Sequence, residues 1–285
     1  MRFTKMQGVG NDFVVVAGPD LPPHTELSSL AIRTCDRKFG IGADGLLTVS
    51  RYESDAALRM RMFNPDGTED TCGNGLRCVS LWAYRAGWLN GHTEFTVRTA
   101  EGVRAVRLLE VAEDGRAGTF GVEMGVPKFE PADLPFVAPP GDRIIAYPFT
   151  VGDKTYPITV VNTGSTHTVL FDYTPPDEEA FQTISPLIEN HPLFPERTSV
   201  LWAVPLDENR YGVRIWERGA GETLGCGTGA CAVGVAAIAR ELSGREQPLE
   251  VVSAGGTLQI TWPDRDAPVD MVGPAQIVYD GVFDL

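Results

Sequence analysis

Lysine is scarce in this chain. Among 285 residues only Lys5, Lys38, Lys128 and Lys154 are lysines, and none stands in a context that suggests the Schiff-base residue a pyridoxal phosphate enzyme requires. No Gly-Lys-Ser/Thr occurs, which excludes a Walker-type phosphate loop. Basic residues are outnumbered overall: 24 Lys and Arg face 38 Asp and Glu, for a net charge of −14. Such a surface repels a phosphate backbone, and no Lys/Arg-rich run offsets it, so nucleic acid is not the expected partner. Long apolar runs are missing as well. The longest small-and-apolar stretch, 229–239, is well short of the roughly 20 residues a membrane helix needs. The opening MRFTKMQGVGND lacks the apolar segment of a secretory signal. The expectation is a soluble, cytoplasmic protein with no membrane partner.

Cysteine is sparse and odd in number: Cys35, Cys72, Cys78, Cys226 and Cys231. An odd count without a secretory signal does not read as a disulfide framework, so reduced thiols are expected and their contexts matter. What the chain does have is ordinary globular material. Hydrophobic residues make up 43% and charged residues 22%, enough for a substantial core, and the length suggests about two domains of roughly 150 residues each.

The chain repeats itself once. Cys72-Gly73-Asn74-Gly75 returns as Cys226-Gly227-Thr228-Gly229, 154 residues later. At the same offset Gly10-Asn11 falls on Gly164-Ser165, each just before a strand-like run, and Asn64 falls on Arg218, each closing one. An apolar helical pattern over 30–39 has its counterpart near 181–188. Between the halves, residues 125–142 carry five prolines in 18 positions, and proline removes backbone donors, so this stretch reads as a connector. Each half then consists of strands, one amphipathic helix, more strands, and a Cys-Gly-x-Gly turn opening a second helix. The last of these, over 230–240, is small and apolar all round, which marks it as buried. Strands wrapped around a central helix, twice, is the architecture inferred. The alternating stretch 275–283 reads as a strand able to return to the first half. Cys35, within the amphipathic helix, is expected in the core.

A cysteine at a helix N-terminus meets unpaired backbone N–H groups and the positive end of the macrodipole. Both stabilise a thiolate, and the same N–H groups can hold a carboxylate. Were the two halves to face each other, two thiols would flank one anion site. That arrangement suits removal of a proton from the carbon beside a carboxylate on one face and its return on the other, with no cofactor and no metal. A zinc site built from Cys72, Cys78, Cys226 and Cys231 is the rival reading. Its Cys-x5-Cys and Cys-x4-Cys spacings exceed the usual structural ones. A thiol-redox protein using the same cysteines is another rival. Glu217-Arg218 reads equally as a solvated ion pair, Asn64 before Pro65-Asp66-Gly67 as a turn residue, and His167 as a satisfied structural histidine.

At this point the residues carry a family. Met6-Gln7-Gly8-Val9-Gly10-Asn11-Asp12-Phe13, Phe63-Asn64-Pro65-Asp66-Gly67 with Cys72-Gly73-Asn74-Gly75-Leu76-Arg77-Cys78, Glu217-Arg218-Gly219-Ala220-Gly221-Glu222-Thr223 with Cys226-Gly227-Thr228-Gly229-Ala230, and Gly273-Pro274-Ala275 closely resemble diaminopimelate epimerases, in order and over nearly the whole chain. The resemblance implies an α/β (α+β) fold of two pseudo-symmetric domains, each a rolled, mostly antiparallel sheet around a central helix. The boundaries expected are 1–126 with 273–285 for the domain carrying Cys72, and 127–272 for the domain carrying Cys226. It also implies an isomerase: a homodimer that epimerises LL-diaminopimelate to the meso form without a cofactor, serving lysine and peptidoglycan synthesis. By position, Cys72 and Cys226 match the catalytic pair, and Gly73, Asn74, Gly227 and Thr228 match the carboxylate cradle. Asn11, Asp44, Asn64, Glu217 and Arg218 match substrate-binding positions, with Arg218 on the distal carboxylate. His167 and Glu217 match positions that tune the cysteines. The family carries asparagines where this chain has Ser165 and Ser199, in the pocket for the distal end. Serine is shorter and lacks the amide donor, so the alternative substrate is another amino acid.

Overall fold

The structure is a computed structural model that describes residues 1–52, 54–137 and 143–284. The chain divides into two compact units, Met1–Glu123 with Val272–Leu285, and Met124–Met271. The first contains strands β1 (Arg2–Gly8) and β2 (Asn11–Ala17), helix α1 (Leu27–Cys35), strands β3 (Gly45–Arg51), β4 (Leu58–Phe63) and β5 (Glu69–Asp70), helix α2 (Gly73–Arg85), and strands β6 (Glu94–Thr99), β7 (Gly102–Val111) and β8 (Ala117–Glu123). The second contains β9 (Tyr147–Val151), β10 (Lys154–Asn162), β11 (Thr166–Phe171), α3 (Glu178–Glu189), β12 (Ser199–Asp207), β13 (Arg210–Glu217), β14 (Gly221–Thr223), α4 (Gly227–Ala239), β15 (Leu249–Ser253) and β16 (Gly256–Thr261). A final strand, β17 (Asp270–Val282), leads from the second unit back into the first.

In the first unit the strands close on themselves. β1 pairs antiparallel with β2, β2 parallel with β3, β3 antiparallel with β4, and β4 parallel with β6. β6, β7 and β8 continue antiparallel, β8 pairs with β17, and β17 returns antiparallel to β1. Eight strands thus form a barrel, and α2 packs against β1, β2, β3, β4 and β8. The alternation read over 275–283 is the inward–outward period of β17, whose Ala275 and Ile277 are buried between exposed neighbours.

The second unit repeats the order: β9, β10 and β11 antiparallel, β11 parallel with β12, β12 antiparallel with β13, β13 parallel with β15, and β15 antiparallel with β16. The 154-residue offset holds in the ladders themselves. Phe13 lies opposite Gly45 and His167 opposite Ser199; Val97 lies opposite Arg104 and Val251 opposite Leu258. Helix α4 has eleven buried residues of thirteen, so its all-round apolar surface is used as a core. At Gly234 a Cβ would stand 2.8 Å from Ile260 Cγ2, which is why the helix needs a residue without one.

Two expectations are corrected. The first amphipathic helix stops at Cys35 instead of running to residue 39, because the Asp36 carboxylate accepts the N–H groups of Lys38 and Phe39 and turns the chain, leaving Phe39 exposed. The proline-rich connector does more than join. Its described part places Phe129, Leu134 and Phe136 in buried positions, and Lys128 bridges Asn162 at the end of β10. Residues 138–142, with two of its prolines, lie outside the described residues. Cys35 is buried as expected, and burial pushes its thiol up to about 11.

Candidate functional site

Each unit places one cysteine at the N-cap of its central helix. Cys72 caps α2 with an extended backbone, and its Sγ accepts the Gly75 N–H at 3.4 Å. Cys226 caps α4 in the same conformation, and its Sγ accepts the Gly229 N–H at 3.4 Å. The reason glycine follows at the third position is the same in both: a Cβ on Gly75 would meet Leu47 Cδ2 at 2.9 Å, and one on Gly229 would meet Leu201 Cδ2 at 3.2 Å. The N–H groups of Gly73 and Asn74, and of Gly227 and Thr228, lie in the first turn, where a helix supplies no acceptor. Both cysteines are half-buried. By contrast Cys78 and Cys231 are wholly buried along their helices, and burial pushes the Cys78 thiol up to about 12, against the thiolate form that a zinc ligand takes.

Around Cys72 the first unit assembles a polar network. The Cys72 thiol donates to Asn11 Oδ1 at 3.6 Å, and Asn74 Nδ2 donates to the same oxygen at 3.4 Å. Asn11 Nδ2 donates to Asp44 Oδ2 at 2.7 Å, which also accepts the Asp12 N–H at 3.0 Å. Arg37 bridges Asp44 and Asp12, both at 2.7 Å, and Lys5 pairs with Asp12 at 2.6 Å while also donating to the Gly42 carbonyl. Burial pushes the Asp12 carboxyl up, but hydrogen bonds from Arg37 and Lys5 outweigh it and hold it at about 2. Behind the helix turn, the buried Arg77 donates to Asn74 Oδ1 at 2.7 Å and to the Pro274 carbonyl at 3.1 Å. Asn11, Asp44, Gly73 and Asn74 are therefore gathered at Cys72. Asn64 stands at the end of β4, where its amide donates to Thr68 Oγ1 at 3.0 Å and Asp70 Oδ2 at 3.4 Å, the bonds of a turn residue.

The second unit builds a different surround. Cys226 Sγ lies 3.4 Å from Thr228 Oγ1, and the Thr228 carbonyl accepts from Thr163 Oγ1 at 2.8 Å. This ties α4 to the turn before β11. At Gly164, with φ of +115°, a Cβ would stand 3.2 Å from the Thr228 methyl. Beyond the turn a cavity of about 390 Å³ is lined by Asn162, Ser165, Glu196 and Arg218, with Leu134 and Pro135 from the connector. Ser165 and Ser199 are both engaged. Ser165 Oγ is 3.0 Å from His167 Nε2, and Ser199 Oγ accepts the Arg218 backbone N–H at 3.1 Å. The Arg218 guanidinium donates to the Glu196 carbonyl at 3.2 Å. Glu217, one residue earlier, pairs with Thr223 across the β13–β14 turn.

His167 is fully buried, and burial, with the Arg218 charge second, pushes it down to about 3, so the ring is neutral at physiological pH. Its Nδ1 is buried without a hydrogen-bond partner among the described residues. An orphaned lone pair costs less than an orphaned N–H, so the proton belongs on Nε2, where it is donated to Ser165 Oγ. That bond uses Ser165 as an acceptor and turns its own O–H outward as a donor.

Sequence reasoning passed over several contributors. Arg37 and Asp12 hold Asp44, Lys5 holds Asp12, and Arg77 holds Asn74. In the second unit the buried Glu189 accepts from Trp216 Nε1 at 2.7 Å and from the Gly219 N–H at 2.8 Å, fixing the chain on either side of Glu217 and Arg218. A charged residue inside an apolar helical face, as with Arg77 and Glu189, was the available signal.

Comparison with known proteins follows the same lines. The sequence profile described as diaminopimelate epimerase matches residues 3–130 and 159–278. The chain is 44% identical over 283 residues to the diaminopimelate epimerase of Desulforudis audaxviator, covering 99% of this chain and 98% of that protein. It is 44% identical over 289 residues to the diaminopimelate epimerase of Moorella thermoacetica, covering 100% of both. Among solved structures, a phenazine biosynthesis protein of the PhzF family from Bacillus anthracis superposes with a TM-score of 0.70 at 18% identity, over 100% of this chain and 99% of that one. A hydroxyproline epimerase from Agrobacterium vitis gives a TM-score of 0.70 at 13% identity, over 99% and 91%. These two likenesses speak for the fold.

Proposed function

The chain belongs to the diaminopimelate epimerase family, and from that premise we propose that it converts LL-2,6-diaminopimelate to the meso form by proton transfer between two cysteines, without a cofactor. The observation that carries the proposal is the duplicated cap: one cysteine at the N-terminus of the central helix in each repeat, each beside two N–H groups without an intrahelical acceptor. The reaction needs a base on one face of the α-carbon and an acid on the other. Cys72 and Cys226 take these roles and exchange them for the opposite stereoisomer. The N–H groups of Gly73, Asn74, Gly227 and Thr228 hold the reacting carboxylate and stabilise the charge that grows on it as the α-proton leaves. Arg218 receives the distal carboxylate, Ser165 adds its outward O–H, and Asn64 and Glu217 complete the binding groups. His167, neutral and bonded to Ser165, acts on the pocket's geometry. A homodimer in the cytoplasm belongs to the same reading.

A second reading keeps the chemistry and changes the substrate to another amino acid. It is favoured by one observation: Ser199 accepts the Arg218 backbone N–H and Ser165 accepts from His167, so each has a single O–H to donate to the distal end where an amide would give two N–H donors. Proton NMR of LL-diaminopimelate in D2O separates the readings. Deuterium at one α-carbon with meso product, lost in both Cys72→Ala and Cys226→Ala, supports the first. No exchange by the reduced wild-type protein, but exchange into another amino acid of a panel, supports the second.

A further inference from the structure

Asn11 stands between two groups with opposite demands. An amide side chain can turn either end toward a neighbour, so its direction is set by what those neighbours can accept or give. On one side is Asp44 Oδ2, at 2.7 Å from Asn11 Nδ2. The Asp44 carboxylate is ion-paired with Arg37 at 2.7 Å and only accepts. On the other side is Asn74, whose own amide is set by Arg77. A guanidinium only donates, so Asn74 Oδ1 faces Arg77 at 2.7 Å, and Asn74 Nδ2 is left to face Asn11. Arginines at both ends therefore leave the chain one polarity, in which Asn11 Oδ1 points at Asn74 and at Cys72.

We propose that Arg37 and Asp44 are positioning residues that lock the Asn11 carbonyl onto Cys72 and so keep Cys72 in its protonated form before substrate arrives. A carbonyl oxygen at the thiol favours S–H, which it accepts, and disfavours a thiolate, which it repels. The Gly75 N–H on the same sulfur works in the opposite sense, so the amide direction shifts the balance. Asp44 then acts through Asn11, with both oxygens already used by Arg37, Asn11 and the Asp12 N–H. The inference rests on the two-thiol reading for its meaning, because a protonated Cys72 is the acid for one of the two stereoisomers. Its test does not use turnover.

The test is the pH dependence of alkylation by iodoacetamide, followed separately for Cys72 and Cys226 by peptide mass spectrometry. In Asp44→Asn, Arg37 claims the one remaining oxygen and the new amide N–H₂ opposes the Asn11 N–H₂, so the Asn11 carbonyl is held toward Cys72 only from the Asn74 side. The Cys72 midpoint is expected to fall, by at most about one pH unit, the size of one hydrogen bond lost, while that of Cys226 stays. Charges at Lys5, Asp12, Arg37 and Arg77 surround this network, and removing the Asp44 charge acts on the thiol directly as well. The substitution is therefore repeated in an Asn11→Ala background, which holds those charges constant. A shift clearly smaller there supports the proposal, because only the part carried by Asn11 is lost; one that persists at full size, or no shift in the first place, overturns it. Asp44→Ala, a truncation at a side chain 40% exposed, carries the same expectation should the asparagine variant fold poorly. Loss of the two-thiol reading would appear in the D2O assay and leave this cycle unchanged.

Discussion

Each reactive cysteine in the proposed mechanism has a second duty as a helix cap, and serine separates the two. In Cys226→Ser the hydroxyl still accepts the Gly229 N–H, as serine does at the best natural N-caps, so the helix start is kept. In Cys226→Ala the acceptor is lost, at a cost of about 1 kcal/mol. For a unit the size of 124–271 that lowers the melting temperature by about 2–4 °C, with the serine variant within about 1 °C of the parent. Catalysis runs the other way. A serine hydroxyl ionises far above a thiol, so it is no base at neutral pH, and both variants should lose on the order of 10³-fold or more in α-deuterium exchange. Calorimetric melts paired with NMR exchange rates read both quantities from one preparation. Cys72→Ser and Cys72→Ala follow the same pattern through the Gly75 N–H. A serine variant that exchanges within tenfold of the parent would refute the thiol chemistry. An alanine variant that melts with the serine variant would refute the cap.

Two other outcomes are expected. Gly234→Ala drives a Cβ to 2.8 Å from Ile260 Cγ2, and overpacking outweighs the gain in helix propensity, so urea unfolding should show a net loss of about 1–2 kcal/mol. His167 should make stability depend on pH: its folded value, near 3, lies below the unfolded value of 6.5, so its contribution is complete above pH 6.5 and is lost as pH falls toward 3. Denaturation between pH 6.5 and 4 should therefore have a slope up to about 1.4 kcal/mol per pH unit steeper in the parent than in His167→Leu; equal slopes would show that the ring is not kept neutral.

Much of the architecture was legible because it is periodic. Two Cys-Gly-x-Gly turns at a fixed offset announced two helices, each of which runs for 13 residues, and the same offset reappears in ladder partners such as Phe13–Gly45 and His167–Ser199. The alternation near the C-terminus is a direct print of a pleated strand. What stayed hidden depends on side chains meeting across long stretches of sequence. Nothing in the spacing of Arg37, Asp44 and Asn11 says that they line up on one thiol. Position 39 carries an apolar residue in helical phase, yet the Asp36 side chain wins the local N–H groups and ends the helix first. Arg77 stands out as a charge among the apolar residues of α2, but its partners, the carbonyls of Pro274 and Gly73 and the amide oxygen of Asn74, cannot be read from its position.

The barrel around α2 has an order of birth built into it. Its residues 2–7 pair with 276–282 along β1 and β17, and the Met1 amino group donates to the Phe283 carbonyl. The unit over 124–271 is one continuous stretch, whereas the unit holding Cys72 is interrupted by it. On a translating ribosome strands β9–β16 of the intervening unit are outside before β17 is complete, and until then β1 and β8 each present an open edge. Cys226 thus gains its finished surroundings before Cys72 does, although Cys72 is synthesised first. In the interval the earlier thiol sits in a half-made barrel.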